Sequence, residues 1–281
     1  MHITLSKKFV AIPLFALLAY PLYSPKLARF MRRIKNGPHF TYVGPELSRD
    51  HMITLLPTSG DQYTESRLKF FAQYLPPNPV IVDAGASHGT DSVKMAQLWS
   101  KGIVHAFEPD PVIFEELKKN AHGISNILCY PLALGDKNSS VTFHVAENAE
   151  HQVVGSGSLL KPAKHTEHYR HITFDKTIEV PCNTLETWAQ EHKISHIDFL
   201  WLDMQGGELA MLQSAPTLLK TVKALYLEVA FVDLYEGQPL YKDVKQWLEQ
   251  QGFIVVARDF EVPVDWGEGN AFFVRKELID K

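Results

Sequence analysis

Cysteine is scarce in this chain of 281 residues: there are two, Cys129 and Cys182, and no C-x-x-C pair. Two cysteines cannot form a disulfide framework, and without the pair the usual basis for a zinc or redox motif is missing. Hydrophobic residues make up 45% of the chain and charged residues 21%, which is typical of a folded globular protein and excludes a disordered chain. We therefore expect two buried thiols in a reducing compartment.

Acidic residues are absent before Glu46, whereas seven Lys and Arg lie in that stretch. The remainder carries 21 basic and 32 acidic residues. Such an acidic body does not favour a nucleic-acid partner, because phosphate binding needs a basic face. The basic head instead indicates a membrane surface or a targeting segment, and we treat residues 1–35 as an apolar and basic N-terminal segment.

Residues 9–23 of this segment contain no charge. A spanning helix needs about 20 apolar residues, and Pro13 and Pro21 interrupt the helix here. Basic residues on both sides favour a membrane anchor or an interfacial helix, which predicts a cytoplasmic protein attached to the inner face of a membrane. A helix packed on the body and a cleaved secretory signal are the alternatives, although no clean small-x-small cleavage site follows the apolar stretch.

Residues 36–61 are rich in Gly and Pro and are interpreted as a linker, and residues 62–281 as the main domain. Continuous apolar runs that predict strands occupy 80–84, 102–107, 124–130, 197–202, 223–229, 253–257 and 271–274. Helical spacing of apolar residues is found in 62–75, 87–99, 111–121, 208–219 and 241–251. Apolar strands separated by helices predict an α/β fold with a Rossmann-like, mostly parallel sheet and helices on both faces. At about 139–182 polar and apolar residues alternate, which predicts an inserted antiparallel pair with a polar loop between.

A candidate ligand-binding turn follows the first strand, in the segment D-A-G-A-S-H-G at residues 83–89. A strand that enters a glycine-rich turn and then a helix presents backbone N–H groups at the carboxyl edge of the sheet. A dinucleotide fingerprint would need glycine where the chain has Ser87 and Thr90, so an NAD-dependent oxidoreductase is disfavoured. The sequence also contains no G-x-x-x-x-G-K-[ST] phosphate loop.

The next two strand ends carry groups that suit a nucleoside. Glu108 ends the second strand, 25 residues after Asp83, and a carboxylate there can accept hydrogen bonds from both ribose hydroxyls. The third strand is followed by P-L-A-L-G-D at residues 131–136, a suitable edge for an adenine ring. Asp83 lies before the turn, where it can fix the loop or meet an ammonium group. Together the three strand ends predict a nucleoside-type ligand.

These motifs resemble those of the FkbM-type methyltransferases, class I enzymes that use S-adenosylmethionine. The matching motifs are the turn at 83–89, F-E-P at 107–109, A-L-G-D at 133–136, F-L-W-L-D-M-Q-G-G-E at 199–208 and N-A-F-F-V at 270–274. The resemblance covers about residues 62–275, and the last two motifs narrow it to this family. The family's usual segment has Glu where this chain has Gln205.

The resemblance implies a seven-stranded sheet whose last strand is antiparallel, with S-adenosylmethionine over the carboxyl ends of the first strands. The residues implied to bind the cofactor are Asp83, Gly85, Ala86, Ser87, His88, Gly89, Glu108, Pro109, Ala133 and Leu134. Asp203, at the end of the fourth strand, is implied to lie near the methyl group and the acceptor.

The expected acceptor is a hydroxyl of a glycan or a small metabolite, and a base must then take its proton during attack. Asp203 is the first candidate for this base, and Glu228 and His88 are further catalytic candidates. Glu208 is either a candidate base or a first-turn residue that favours the helix dipole, and His151 lies on the inserted loop.

No metal ligand set is expected. His165, His168 and His171 are spaced by three, but we interpret their polar segment as a loop that faces substrate. A catalytically silent nucleoside-binding or interaction module of the same fold is the alternative function, and Gln205 keeps it open. The sequence does not predict the oligomeric state.

Overall fold

The computed structural model describes residues 47–48, 51–56, 63–260 and 267–279. The strands in these ranges are β1 Leu47–Ser48, β2 His51–Met52, β3 Thr54–Leu55, β4 Val80–Ala84, β5 Ile103–Phe107, β6 Ile127–Tyr130, β7 Ala133–Leu134, β8 Ser139–Glu147, β9 Val153–Ser158, β10 Thr173–Asn183, β11 Phe199–Leu202, β12 Ala224–Ala230, β13 Phe253–Arg258 and β14 Glu268–Arg275. The helices are α1 Tyr63–Phe71, α2 Thr90–Leu98, α3 Pro111–Asn120, α4 His165–His168, α5 Leu185–Glu191, α6 Glu208–Gln213, α7 Pro216–Leu219, α8 Tyr241–Gln250 and α9 Lys276–Ile279. A 3₁₀ turn at Ala72–Tyr74 extends α1.

The main sheet has the strand order β3-β13-β14-β12-β11-β4-β5-β6. Its strands run parallel except β14, which is antiparallel to both β12 and β13. The predicted Rossmann-like, mostly parallel sheet is therefore confirmed, including its antiparallel last strand. In the described part of the chain the sheet has eight strands and not seven, because β3 adds to the edge at β13. Strands β1 and β2 pair only with each other in these ranges.

Helices cover both faces of this sheet. Successive side chains of a strand point to opposite sides, so each strand packs against helices on both faces. On one face, Leu200 and Leu202 belong to the large apolar core that also contains side chains from α5, α6, α7 and α8. On the other face, the Phe71 ring of α1 lies 5.9 Å from Phe199 and 6.3 Å from Trp201, between ring centroids. The strands at the centre of the sheet are buried on both sides, which explains why they are apolar without interruption.

The inserted segment forms a second sheet, with the strand order β7-β10-β8-β9. The predicted antiparallel pair is present as β8 and β10, with Val141 opposite Val180. The prediction of a polar loop between them is wrong in part, since this connection contains a third antiparallel strand, β9, and the single-turn helix α4. The sequence V-V-G-S-G-S of β9 has the composition of a loop, but its backbone pairs with β8. In addition, β7 pairs in parallel with the end of β10.

Residues 1–46, with the apolar stretch 9–23, lie outside the described residues, so the anchor, packed-helix and signal interpretations stay predictions. Among the residues that the structure describes, no helix combines the length and the apolar character needed to cross a membrane. The division at residues 35 and 61 likewise stays a prediction.

Candidate active site

Strand register places the predicted site residues in one row. Ala84 of β4 is opposite both Phe107 of β5 and Leu202 of β11, and Leu202 is opposite Leu227 of β12. The residue after each of these therefore stands at the same level of the carboxyl edge. This row consists, in order across the sheet, of Glu108, Gly85, Asp203 and Glu228.

The turn after β4 is held against the neighbouring strand ends. The backbone N–H groups of Gly85 and Ala86 donate to the Phe107 carbonyl oxygen at 3.1 and 2.9 Å. Gly85 has φ +81°, and a Cβ atom there would lie 1.8 Å from the carbonyl oxygen of Asp203. Only glycine allows the turn to pass so close to the end of β11.

Glu108 joins this turn to the end of β5. Its side chain is buried, and its two carboxylate oxygens accept from backbone N–H groups, one from Ser87 at 3.0 Å and one from Asp110 at 2.8 Å. Burial raises the pKa of Glu108 to about 7, and the two backbone hydrogen bonds oppose that shift. Each oxygen keeps a second lone pair that can accept a hydrogen bond from a ligand.

A cavity opens in front of this row. Its walls come from the first strand ends, from the inserted sheet and from the segment after β11: Ala84, Gly85, Phe107, Glu108, Pro109, Ile113, Leu132, Ala133, Leu134, Phe143, Gly155, Gly157, Leu159, Asp203, Met204 and Gly207. Five predicted cofactor residues are thus brought together here, namely Gly85, Glu108, Pro109, Ala133 and Leu134. Asp203 joins them at the same wall.

The other predicted cofactor residues do not line this cavity. Asp83 is buried and accepts a hydrogen bond from the Ser92 hydroxyl of α2, and burial raises its pKa to about 8. It therefore fixes the start of α2 from within the protein. Ala86, Ser87, His88 and Gly89 continue the turn behind the cavity wall. His88 is exposed, with its Nδ1 atom 3.0 Å from the Ser87 hydroxyl.

Asp203 and Glu228 are linked by the side chain of Gln205. The Gln205 Nε2 atom donates to Asp203 Oδ1 at 2.7 Å and to Glu228 Oε2 at 2.9 Å. Asp203 is exposed within the site, Glu228 is half-buried and Gln205 is buried. One amide group therefore bridges the two catalytic candidates.

The two carboxyl groups differ in acidity. The protein atoms packed around Asp203 leave its carboxylate only partly solvated and raise its pKa to about 6; the hydrogen bond from Gln205 opposes the shift and the charge of Glu268 adds to it. Burial and the charges of Asp203 and Glu268 raise the pKa of Glu228 well above its usual range. Asp203 is therefore ionised at neutral pH, and Glu228 is a weaker acid than an ordinary glutamate.

Glu208 holds the segment between β11 and α6. Its side chain is buried, and Oε1 accepts from the backbone N–H groups of Met204 at 2.7 Å and Gly206 at 3.4 Å. Of the two interpretations of Glu208, this geometry favours the structural one. His151 is exposed in the β8–β9 connection and does not line the cavity.

The inserted sheet is tied to the same segment. The Ser158 hydroxyl at the end of β9 donates to the Gln205 carbonyl oxygen at 2.8 Å. The Tyr235 hydroxyl, from the loop after β12, lies 2.8 Å from both the Ser156 carbonyl oxygen and Gln205 Oε1. His165 is buried with its ring 5.3 Å from that of Tyr235, between centroids, whereas His168 and His171 are exposed.

Sequence reasoning missed the contribution of the inserted sheet to the cavity, which comes from Phe143, Gly155, Gly157 and Leu159. The two glycines of β9 were the available signal, since glycine within a strand often marks a close approach to a ligand or another backbone. The contact of Tyr235 with Gln205 spans 30 residues of sequence and has no local signal.

Comparison with known proteins identifies the family. Residues 83–255 match the Methyltransferase FkbM domain. The 2-O-methyltransferase NoeI of Sinorhizobium fredii (strain NBRC 101917 / NGR234) is 30% identical over 164 residues, which cover 58% of this chain and 68% of that protein. Methyltransferase sdnD of Sordaria araneosa is 24% identical over 201 residues, 64% of this chain and 75% of the relative.

Among solved structures, the magnesium protoporphyrin IX methyltransferase (ChlM) of Synechocystis PCC 6803, with bound SAM, matches at 14% identity and a TM-score of 0.43. The match covers 76% of this chain and 78% of that one. The domain match spans more than half of the chain and includes the turn, Glu108, Asp203 and Glu228. The chain belongs to the FkbM methyltransferase family.

Proposed function

We propose that this enzyme transfers a methyl group from S-adenosylmethionine to a hydroxyl group of a glycan or a small metabolite. Its class, a methyltransferase with S-adenosylmethionine as cofactor, follows from the family. The choice of oxygen as acceptor is supported by the relative NoeI, which is named a 2-O-methyltransferase. When bound, the cofactor supplies a methyl group on a positively charged sulfur.

The cavity suits this cofactor. Its walls combine apolar side chains with a few polar groups, as small-molecule sites do. Glu108 would accept hydrogen bonds from the ribose hydroxyls with the lone pairs that the backbone leaves free. Leu132, Ala133 and Leu134 form an apolar wall for the adenine ring, and the turn at Gly85 would hold the methionine part.

The observation that carries the proposal is the position and acidity of Asp203. Its carboxylate is open to the cavity in the row that runs from Glu108 to Glu228. With a pKa of about 6 it is ionised at neutral pH and is a stronger base than an ordinary aspartate. A hydroxyl acceptor must lose its proton during attack, and a positioned base contributes about 10²–10⁴-fold to such a step.

The rest of the site orients the acceptor and limits access of water. Gln205 fixes the direction of the Asp203 carboxylate and also holds the Glu228 side chain by a hydrogen bond. Gly155, Gly157 and Leu159 bring the inserted sheet against the cavity, which reduces its contact with solvent. Alignment of the two reactants supplies much of the catalysis in such a displacement.

Methyl transfer from labelled S-adenosylmethionine tests this function. The full chain is incubated with glycans and hydroxylated metabolites, and each acceptor is paired with a derivative whose hydroxyl groups are blocked. We expect label in free but not in blocked acceptors, accompanied by S-adenosylhomocysteine. Label retained in blocked acceptors would exclude the hydroxyl as the methylated group.

Thermal unfolding, read together with the transfer assay, distinguishes the enzyme from a silent binding module. A ligand present at 100 times its Kd and bound only to the folded state adds about 2.7 kcal/mol of stability. We expect a higher Tm with S-adenosylmethionine and S-adenosylhomocysteine but not with NAD. A shift with the adenosyl compounds without transfer to any hydroxylated acceptor would instead support the silent module.

We also propose a cytoplasmic location, with attachment to the inner face of a membrane through residues 9–23. The support is the absence of charge in this stretch and the basic residues on both sides of it. The acidic remainder of the chain supports a small-molecule or glycan acceptor and not a nucleic acid.

A further inference from the structure

Gln205 has a full set of hydrogen bonds in the active site. Its two amide N–H bonds are directed to Asp203 and Glu228, at N–O distances of 2.7 and 2.9 Å. Its Oε1 atom lies 2.8 Å from the Tyr235 hydroxyl, and its backbone oxygen accepts from Ser158. The opposite orientation of the amide would place its oxygen against two carboxyl groups, so the network itself fixes the orientation.

The backbone of Gln205 is also constrained. Its φ is +52°, in the left-handed region that residues other than glycine seldom adopt, and Gly206 follows with φ +98°. Such a conformation costs free energy and persists when surrounding contacts determine it. Here those contacts come from the inserted sheet, through Ser158, and from the loop after β12, through Tyr235.

We propose that Gln205 is a positioning residue that separates Asp203 from Glu228, so that the Asp203 carboxylate faces the cavity, and that it couples this pair to the inserted sheet. A neutral amide with two donors suits this position, because it can hydrogen-bond to both carboxyl groups without adding charge. A third carboxylate here would face two others across hydrogen-bond distances. The proposal rests on the proposed function only where it concerns catalysis.

The surroundings of the pair are mostly acidic, although Arg67 forms an ion pair with Asp259 at 2.9 Å. Ionisable groups act on Asp203 and Glu228 from several neighbouring elements. The carboxyl groups are Asp83 of β4, Asp91 of α2, Glu108 after β5, Glu208 of α6, Asp259 after β13 and Glu268 of β14, and the phenols are Tyr169, Tyr226 and Tyr235. His168 offsets part of the charge of Glu268. An added carboxylate would therefore meet acidic groups from several sides, which raises the pKa of each.

The variant Gln205→Glu tests the proposal in two ways, with Gln190→Glu on the exposed surface of α5 as a matched control. The first measurement is Tm against pH without ligands. An acid whose pKa is raised in the folded state stays protonated there while the unfolded chain releases the proton, so stability falls as pH rises through that window. An unfolded glutamate has a pKa of about 4.3, so we expect Gln205→Glu to match the wild type near pH 4 and to lose Tm progressively towards pH 8, whereas Gln190→Glu follows the wild type throughout.

The second measurement is the pH profile of methyl transfer. Without the amide donor, and beside a new carboxylate, Asp203 should ionise at higher pH. We therefore expect the acidic limb of kcat for Gln205→Glu to move upward by about one pH unit or more, with little change in KM for the cofactor. Gln205→Met, which removes the donors without adding charge, should move the limb in the same direction. The variant Gln205→Met therefore still tests the proposal if Gln205→Glu folds poorly.

The outcomes are distinguishable. If the wild type transfers no methyl group to any acceptor, the proposed function fails, while the Tm measurement still decides whether Gln205 separates the two carboxyl groups. Equal pH dependence of Tm in wild type and Gln205→Glu would overturn the inference. A uniform loss of kcat in Gln205→Met at every pH, without displacement of the limb, would overturn it as well, because a purely structural role gives that result.

Discussion

Gly85→Ala tests whether close contact between two strand ends builds the active site. A Cβ atom at Gly85 would lie 1.8 Å from the Asp203 carbonyl oxygen, whereas real Cβ contacts are essentially never closer than 3.0 Å. The obstacle is backbone, so no side chain can rotate away from it. The turn after β4 and the Asp203 segment must therefore separate by about 1 Å, and overpacking of this kind costs about 1–3 kcal/mol.

Gly123 provides a matched control. It has the same φ of +81°, but a Cβ atom there would meet no atom within 4 Å. Gly123→Ala therefore incurs only the cost of left-handed backbone, about 1–2 kcal/mol. Since 1 kcal/mol corresponds to about 2–4 °C in Tm for a domain of this size, we expect a fall of a few degrees for Gly123→Ala and about twice that for Gly85→Ala.

Cofactor binding and catalysis separate the two variants further. A misplacement of about 1 Å at a reacting centre can cost about 10²-fold in rate. We expect Gly85→Ala to bind S-adenosylmethionine at least about 10-fold more weakly by calorimetry, a loss of about 1.4 kcal/mol, and Gly123→Ala to bind like the wild type. Equal Tm losses and equal affinities in the two variants would refute the argument that this contact positions the turn and Asp203.

Three further changes test other parts of the site and the N-terminal segment. Glu108→Gln places an amide N–H group against a backbone N–H donor, so we expect a lower Tm and about 10-fold or greater loss of cofactor affinity; unchanged calorimetric affinity would exclude a ribose contact. Asp203→Asn should lower kcat about 10²–10⁴-fold while cofactor affinity stays, and the wild-type rate should fall as pH drops below about 6, because Asp203 must be ionised to accept a proton. Deletion of residues 1–35 should release the protein from membranes without a change in cofactor affinity, and identical fractionation of the two forms would contradict the anchor.

The central strands were predictable because burial on both faces makes them continuously apolar. Strand β4 was predicted with its observed ends, Val80–Ala84. Strand β6 begins at Ile127 and not at residue 124, since the backbone N–H groups of Ile124 and Ile127 donate to the carbonyl oxygens of Ala121 and Ile124 in turns. Strand ends thus depend on hydrogen bonds that an apolar pattern does not record.

Two helical features departed from the predicted pattern. The helix expected over 208–219 is divided into α6 and α7, because Pro216 lacks an N–H group and cannot continue a helix from α6. Helix α5 was not predicted, since its seven residues are too few for a clear helical period. Its N-cap was readable in principle, as Thr184 accepts the backbone N–H of Thr187.

The site itself was predictable to the extent that it follows from strand register. A one-residue shift of β11 would turn Asp203 to the other face of the sheet, so burial of Leu200 and Leu202 on one side fixes where Asp203 lies. The network around Gln205 was not predictable, because Ser158 and Tyr235 reach it from segments 47 and 30 residues away. Such contacts depend on how the inserted sheet packs on the main one.

The proposed role of Gln205 would let the inserted sheet influence catalysis although no side chain proposed as base or ribose ligand belongs to it. Adjacent strands are about 4.8 Å apart, so Glu108 and Asp203, two strands apart in the row, are separated by about 10 Å. Register in the main sheet fixes that separation, but it does not fix the direction of the Asp203 carboxylate, which depends on Gln205. Gln205 is in turn held by Ser158 at the end of β9, the strand whose glycines line the cavity. Movement of β9 would therefore alter the cavity wall and the orientation of the base together.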